Sequence, residues 1–121
     1  MHIQQEPKNQ HTIQSYSDTG VNIDGTTYES SLIVCRDRLI SPWETKREDA
    51  LTSTQLLPLL ELKPEIIIIG SAKPDAYRTH PALLALNAKG IGIECLDIGG
   101  AARTFNLLLS EHRDVVVGFI L

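Results

Sequence analysis

"EIIIIGSAKPDAYRTHPALLALNAKGIGIECLDIGGAARTFNLLLSEHRDVVVGFIL", from Glu65 to Leu121, is the stretch that decides the fold. Three apolar runs in it alternate with two segments of helical spacing. "EIIIIG" (Glu65 to Gly70) is a continuous β-branched run bounded by Pro64 and Gly70, the pattern of a strand buried on both faces. "THPALLALNAKG" predicts a helix capped at Thr79 or His80, with Pro81 early and Gly90 as its C-terminal stop. "IGIECLDI" is the next strand. "AARTFNLLLSEHR" predicts a helix beginning near Ala101, with Ala101, Phe105, Leu108 and Leu109 on one stripe that Leu107 widens. "DVVVGFIL" is the last strand. Strands alternating with helices imply parallel strands joined by right-handed crossovers.

Upstream, the texture changes. "TIQSYS" shows a weak period of two, and Asp18-Thr19-Gly20 and Asp24-Gly25 are turn signals around Val21-Asn22-Ile23. The first third therefore reads as an antiparallel meander that runs on through Leu32-Ile33-Val34 and ends near Cys35. "DRLISPW" adds a short strand stopped by Pro42. "TSTQLLPLLELKPE" predicts a short helix capped by Thr52 or Thr54 and ending before Lys63-Pro64, with Pro58 in its first turn, where no hydrogen bond is lost. Met1 to Gln10 is polar and reads as a flexible arm, and residues 11–121 as one domain. The expected class is α/β: a three-layer core of largely parallel strands with an N-terminal antiparallel β-meander.

Composition narrows the function. The chain has 121 residues, 42% hydrophobic and 21% charged, which places it among ordinary globular proteins. Its formal charge is −4, and its 11 Lys and Arg are scattered, so nucleic acid is not expected as a partner. No apolar run reaches the roughly 20 residues of a membrane span, and "MHIQQEPKNQ" lacks the features of a secretory signal. A cytoplasmic location with reduced cysteines is expected. Cys35 and Cys95 read as buried, unreactive thiols in apolar strands, and Trp43 reads as core. The isolated histidines and cysteines match no metal spacing, so neither a metal nor a cofactor is expected. His112, in "SEH", is expected to complement a helix C-terminus rather than to join a triad.

Two glycine-bearing loops carry the remaining chemistry. "DIGGAAR" lacks the G-x-G-x-x-G spacing, and no Gly-Lys-Ser or Gly-Lys-Thr occurs in the chain, so neither familiar nucleotide motif is present. Gly99 and Gly100 are either a corner of unusual φ or a generic anion seat at a helix N-terminus; the corner reading is preferred. Arg103, expected in the first helical turn, calls for a negative neighbour because the macrodipole disfavours a cation there by roughly 0.3–1 kcal/mol. A buried pair with Asp97 is preferred over a bound anion or an acidic group of a partner. Asn106 shares the face of Arg103, and Thr104 projects further round. Gly70 and Ser71 end the preceding strand, and in parallel sheets ligands gather outside such ends. If the two strands are neighbours, Gly70-Ser71 and Asp97 to Gly100 meet at one rim, with Tyr77 and His80 as nearby candidates.

Together, "EIIIIGSA", "YESSLIV", "SPW" and above all "AARTFN…SEHR" resemble a known family of small domains. That family includes a mitochondrial respiratory complex I assembly factor and the adipogenesis-associated domain protein. The resemblance runs from about His11 to Leu121. It implies a central mixed sheet flanked by helices, an extra β-hairpin layer, and a non-catalytic role in binding other proteins. Arg103, Thr104 and Asn106 match the family motif. Ile98, Ala102 and Phe105 stand where the family usually has threonine, cysteine and tyrosine, which argues against chemistry built on that cysteine or tyrosine. Two partner classes follow: another protein, or a small anion at the rim. The exposed strand edges of the meander add a third option, weak homo-oligomerisation of an otherwise monomeric chain.

Overall fold

Residues 11–45 and 51–121 are described by a computed structural model; the arm expected over Met1 to Gln10 lies outside them. β1 (Ile13–Ser17), β2 (Gly20–Ile23) and β3 (Thr26–Tyr28) form an antiparallel meander that is a sheet of its own. Asp24 and Gly25 turn β2 into β3 with φ of 53° and 87°. Positive φ at both central residues is what a two-residue hairpin turn matched to strand twist requires.

The next strand corrects the expected meander. β4 (Leu32–Val34) leaves that sheet and pairs antiparallel with the last strand of the chain, so that Leu32 meets Phe119 and Val34 meets Val117. All three β4 residues are buried. An unbroken apolar triplet satisfies both faces only in the interior, and the meander has one solvated face. β5 (Leu39–Ile40) pairs with β4.

α1 (Ser53–Leu60) opens with a capping box, in which the Thr52 hydroxyl accepts from Gln55 N–H and the Gln55 side chain accepts from Thr52 N–H. Pro58 lies in the second turn rather than the first. The carbonyl it leaves without an N–H is that of Thr54, an exposed residue. Then follow β6 (Ile66–Ser71), α2 (Asp75–Arg78), α3 (Pro81–Ala88), β7 (Gly92–Leu96), α4 (Ile98–Ser110) and β8 (Val115–Ile120). His80 caps α3, its Nδ1 accepting from Ala82 N–H, with Pro81 at the first helical position.

The five-stranded sheet has the order β5-β4-β8-β6-β7, with β6 parallel to both β7 and β8 and β4 antiparallel to β8. It is mixed, as the resemblance implies. Strand alternation divides the core. Ile68, Val115, Val117 and Phe119 pack with α4 (Ala101, Phe105, Leu109) and the meander (Ile13, Val21, Ile23). Ile67, Ile69, Val116 and Ile120 face the other way, onto Leu56, Leu59, Leu83 and Leu86 of α1 and α3. Trp43 joins this second layer. A Cβ on Gly118 would stand 2.6 Å from its ring, and its indole N–H donates to Gln55 O at 2.8 Å.

Candidate functional site

β6 and β7 run parallel in a register that sets Gly70 beside Leu96, so both strands end at one rim. Asp97 follows directly and caps α4, its Oδ1 accepting from Gly100 N–H at 2.6 Å. The helix thus begins at Ile98, three residues before the expected start, and Gly99 and Gly100 belong to its first turn. This corrects the corner reading. The positive-φ glycines among the described residues are Gly25 and Gly90, and what the rim glycines supply is close approach. A Cβ on Gly99 would stand 2.7 Å from Tyr16 Cε1, and one on Gly100 would stand 2.9 Å from Asp97 Oδ1.

Arg103 is also displaced from its expected place. It lies in the second turn, is exposed, and donates to Tyr16 Oη at 2.6 Å, with its guanidinium carbon 5.9 Å from the Tyr16 ring centroid. The buried pair with Asp97 does not form. Asp97 spends its carboxylate on the helix N-terminus, and near an exposed cation water replaces the missing counter-charge.

A cleft of about 460 Å³ opens here, lined by Tyr16, Ser17 and Asp18 from the meander, Ala72 after β6, and Asp97, Ile98, Gly99 and Arg103. Three of the expected site residues, Asp97, Gly99 and Arg103, line it. Gly70 lies beneath, where a Cβ would stand 2.7 Å from Ala101 Cβ and 2.9 Å from Phe119 Cδ1. Ser71 is buried, its hydroxyl accepting from Lys73 N–H at 3.1 Å to close the loop. Thr104 is half-buried. Asn106 is drawn inward, its Oδ1 accepting from Ile13 N–H at 2.9 Å and its Nδ2 donating to Ile13 O at 2.8 Å. It mimics a neighbouring strand and pins β1 to α4. Tyr77 is buried in the layer of α1 and α3 rather than near the rim, and His80 is spent on its cap.

Sequence reasoning missed the meander's share of the site. Tyr16 stands in a polar stretch 87 residues from Arg103, and nothing local marks it. The Cys35 thiol donates to Asp37 Oδ1 at 3.6 Å, outside the rim cleft. His11 Nδ1 bonds Cys35 O at 3.1 Å, and His112 sits past the end of α4. Burial pushes the Cys95 thiol up to about 11. Cys35, one residue beyond β4 and only half-buried, is also raised, chiefly by desolvation. Neither thiol is a thiolate at neutral pH. No group of three or more His, Cys, Asp or Glu among the described residues is placed to hold a metal ion, and none of their helices is long and apolar enough to cross a membrane.

The fold and rim define a class: a mixed α/β domain with a detached antiparallel meander clamped to one helix, and a shallow polar cleft at the strand ends. Residues 13–120 match the family described as proteins of unknown function DUF498/DUF598, and the chain belongs to that family. A Danio rerio relative is 30% identical over 113 residues, covering 92% of this chain and 64% of its own length. A Mus musculus relative is 31% identical over 104 residues, covering 84% of this chain and 55% of its own. Both are called NADH dehydrogenase (ubiquinone) 1 alpha subcomplex assembly factor 3, and this chain spans less than two thirds of either. Among solved structures, the Xanthomonas campestris protein XCC1710 superposes with a TM-score of 0.81 at 25% identity, covering 91% of this chain and 83% of its own. A Bordetella pertussis protein described as an Mth938-like domain shares the fold with a TM-score of 0.75 at 21% identity, covering 91% and 85%.

Proposed function

We propose that this chain is a non-catalytic protein-binding module that works as its assembly-factor relatives are named to work, through the rim around Tyr16 and Arg103. The observation that carries the reading is how the rim's polar groups are used. Asp97, Ser71 and Asn106 are spent on the fold, while Tyr16 and Arg103 form a hydrogen-bonded pair at the surface, the guanidinium carbon 5.9 Å from the ring centroid. Tyr and Arg are the residue types that dominate binding hot spots, because each buries a large flat surface and keeps a directional polar group. In this reading Gly99 lets the pair lie flat on α4, and Gly70 and Gly100 set the height of the helix beneath it.

The anion reading has less support. The cap site that an anion would take holds the Asp97 carboxylate, and Asp18 lines the same cleft. Arg103 is the observation in its favour.

The test is affinity capture with quantitative cross-linking in the source organism, comparing the wild-type chain with Tyr16→Ala/Arg103→Ala. A protein partner cross-linked to the rim and lost in the double variant supports the module. Capture of nothing above background, or of the same proteins by both chains, overturns it. A thermal-shift series with phosphate and carboxylates in which Arg103→Ala abolishes a stabilisation would put the anion reading first.

A further inference from the structure

β7 is the last strand of the five-stranded sheet, and its outer edge is only partly covered. Gly92 donates its N–H across to Glu65 O at 2.9 Å, on the β6 side. Alternation then turns the main-chain groups of Gly92, Glu94 and Leu96 toward β6, and those of Ile91, Ile93 and Cys95 outward. Side chains close the two ends of that outer row: Asn87 Nδ2 donates to Ile91 O at 3.1 Å, and Arg78 Nε donates to Cys95 O at 3.2 Å. The Ile91 N–H is taken by Leu86 O at 3.3 Å. Between these points, no group among the described residues meets the N–H and C=O of Ile93 or the N–H of Cys95. Against the same edge lies a cavity of about 150 Å³ walled by Leu83, Leu84 and Ile93 together with the two closing side chains and Cys95. Leu84 is 51% exposed.

We propose that this edge is a strand-addition site for an extended segment of a partner protein, with Arg78 and Asn87 as the guards that keep it closed. An extended backbone offers an acceptor and a donor at the spacing that Ile93 presents, and strand addition takes its affinity from such main-chain bonds. Specificity comes from pockets for alternate side chains, and the cavity beside Ile93 suits one aliphatic side chain of the incoming segment. Unpaired edges are commonly blunted by polar side chains laid across them. Both guards are exposed residues, Arg78 in an ion pair with Asp75, so swinging them into water costs little. The inference uses none of the rim residues and stands or falls apart from the function proposed above.

The probe is a lysine-flanked peptide of alternating threonine and valine with a central leucine. Binding is read by fluorescence anisotropy and by amide exchange on the isotope-labelled chain. The expected result is protection of the Ile93 and Cys95 amides. Arg78→Ala and Asn87→Ala should each tighten binding about fivefold, the worth of one ordinary competing hydrogen bond. The same peptide N-methylated on its pairing edge should not bind. Three results overturn the proposal: unchanged exchange at Ile93 and Cys95 at millimolar peptide in both the wild type and the combined Arg78→Ala/Asn87→Ala variant; equal binding of the N-methylated peptide; or self-association of that combined variant through β7, which would make a second copy of the chain the occupant.

Discussion

Asn106 is the side chain on which the attachment of the meander turns. Its amide both accepts from and donates to Ile13, and Ile13 is buried. Asn106→Ala leaves a main-chain donor and an acceptor without partners. Each such loss costs about 1–3 kcal/mol, and because these bonds are only part-buried the lower half of that range applies, for a total of about 2–4 kcal/mol. In a domain of this size that lowers Tm by roughly 8–16 °C. Urea denaturation gives the energy, and amide exchange at Val21 and Ile23 should show β1 and β2 opening ahead of the central sheet. Asn106→Asp supplies a sharper version. One carboxylate oxygen still accepts from Ile13 N–H, but the other faces Ile13 O, where it needs a proton to donate. Its folded pKa is therefore raised above the unfolded value of about 3.9. The stabilising bond is complete below that value and is lost as pH rises through the folded pKa. The deficit of the aspartate variant should be small near pH 4 and grow toward pH 7, while that of the alanine variant stays level. A deficit independent of pH, or an alanine variant costing less than about 0.5 kcal/mol, would refute the clamp.

Three further predictions follow from local geometry. Gly70→Ala should destabilise by about 1–3 kcal/mol in urea melts, because its methyl has to displace Ala101 or Phe119, both fully buried. His112→Gly should stabilise by about 0.5–1 kcal/mol in the same assay. His112 ends α4 at φ 60°, with its own N–H on Leu109 O and that of Arg113 on Leu108 O, in the seat that Gly90 fills after α3. Glu65 is held below its usual 4.5, first by the hydrogen bond from Arg113 and then by that from Asp114 N–H. Its contribution is complete above that value and is lost as pH falls through the lowered folded pKa, so Glu65→Gln should flatten the acid limb of a stability-against-pH curve.

The helix caps, narrowed to Thr52 or Thr54 and to Thr79 or His80, the Asp24-Gly25 turn and the strands around Ile67 and Val116 were legible because each rests on interactions within a few residues or on a repeating apolar period. The α4 start is not legible, because a glycine pair after a strand reads as a corner of unusual φ. Here Asp97 caps the helix ahead of them, and the absent Cβ atoms serve contacts with Tyr16 and Asp97. Of the rim, Asp97, Gly99 and Arg103 could be named in advance, since strand ends in a parallel sheet share one side. Tyr16 could not, because its partner was unknowable before the meander had a place to lie.

From the chain alone come the alternation of strand and helix, the parallel sense of β6, β7 and β8, and the meander turns, all consequences of short-range sterics and periodic burial. Only the folded molecule decided that β4 would leave the meander for β8, that Asn106 would stand in for a strand beside Ile13, and that Arg103 would choose Tyr16 over Asp97. Those choices are competitions among groups tens of residues apart. They are settled by which arrangement buries apolar surface without burying an unpaired main-chain group, a quantity that no local window contains.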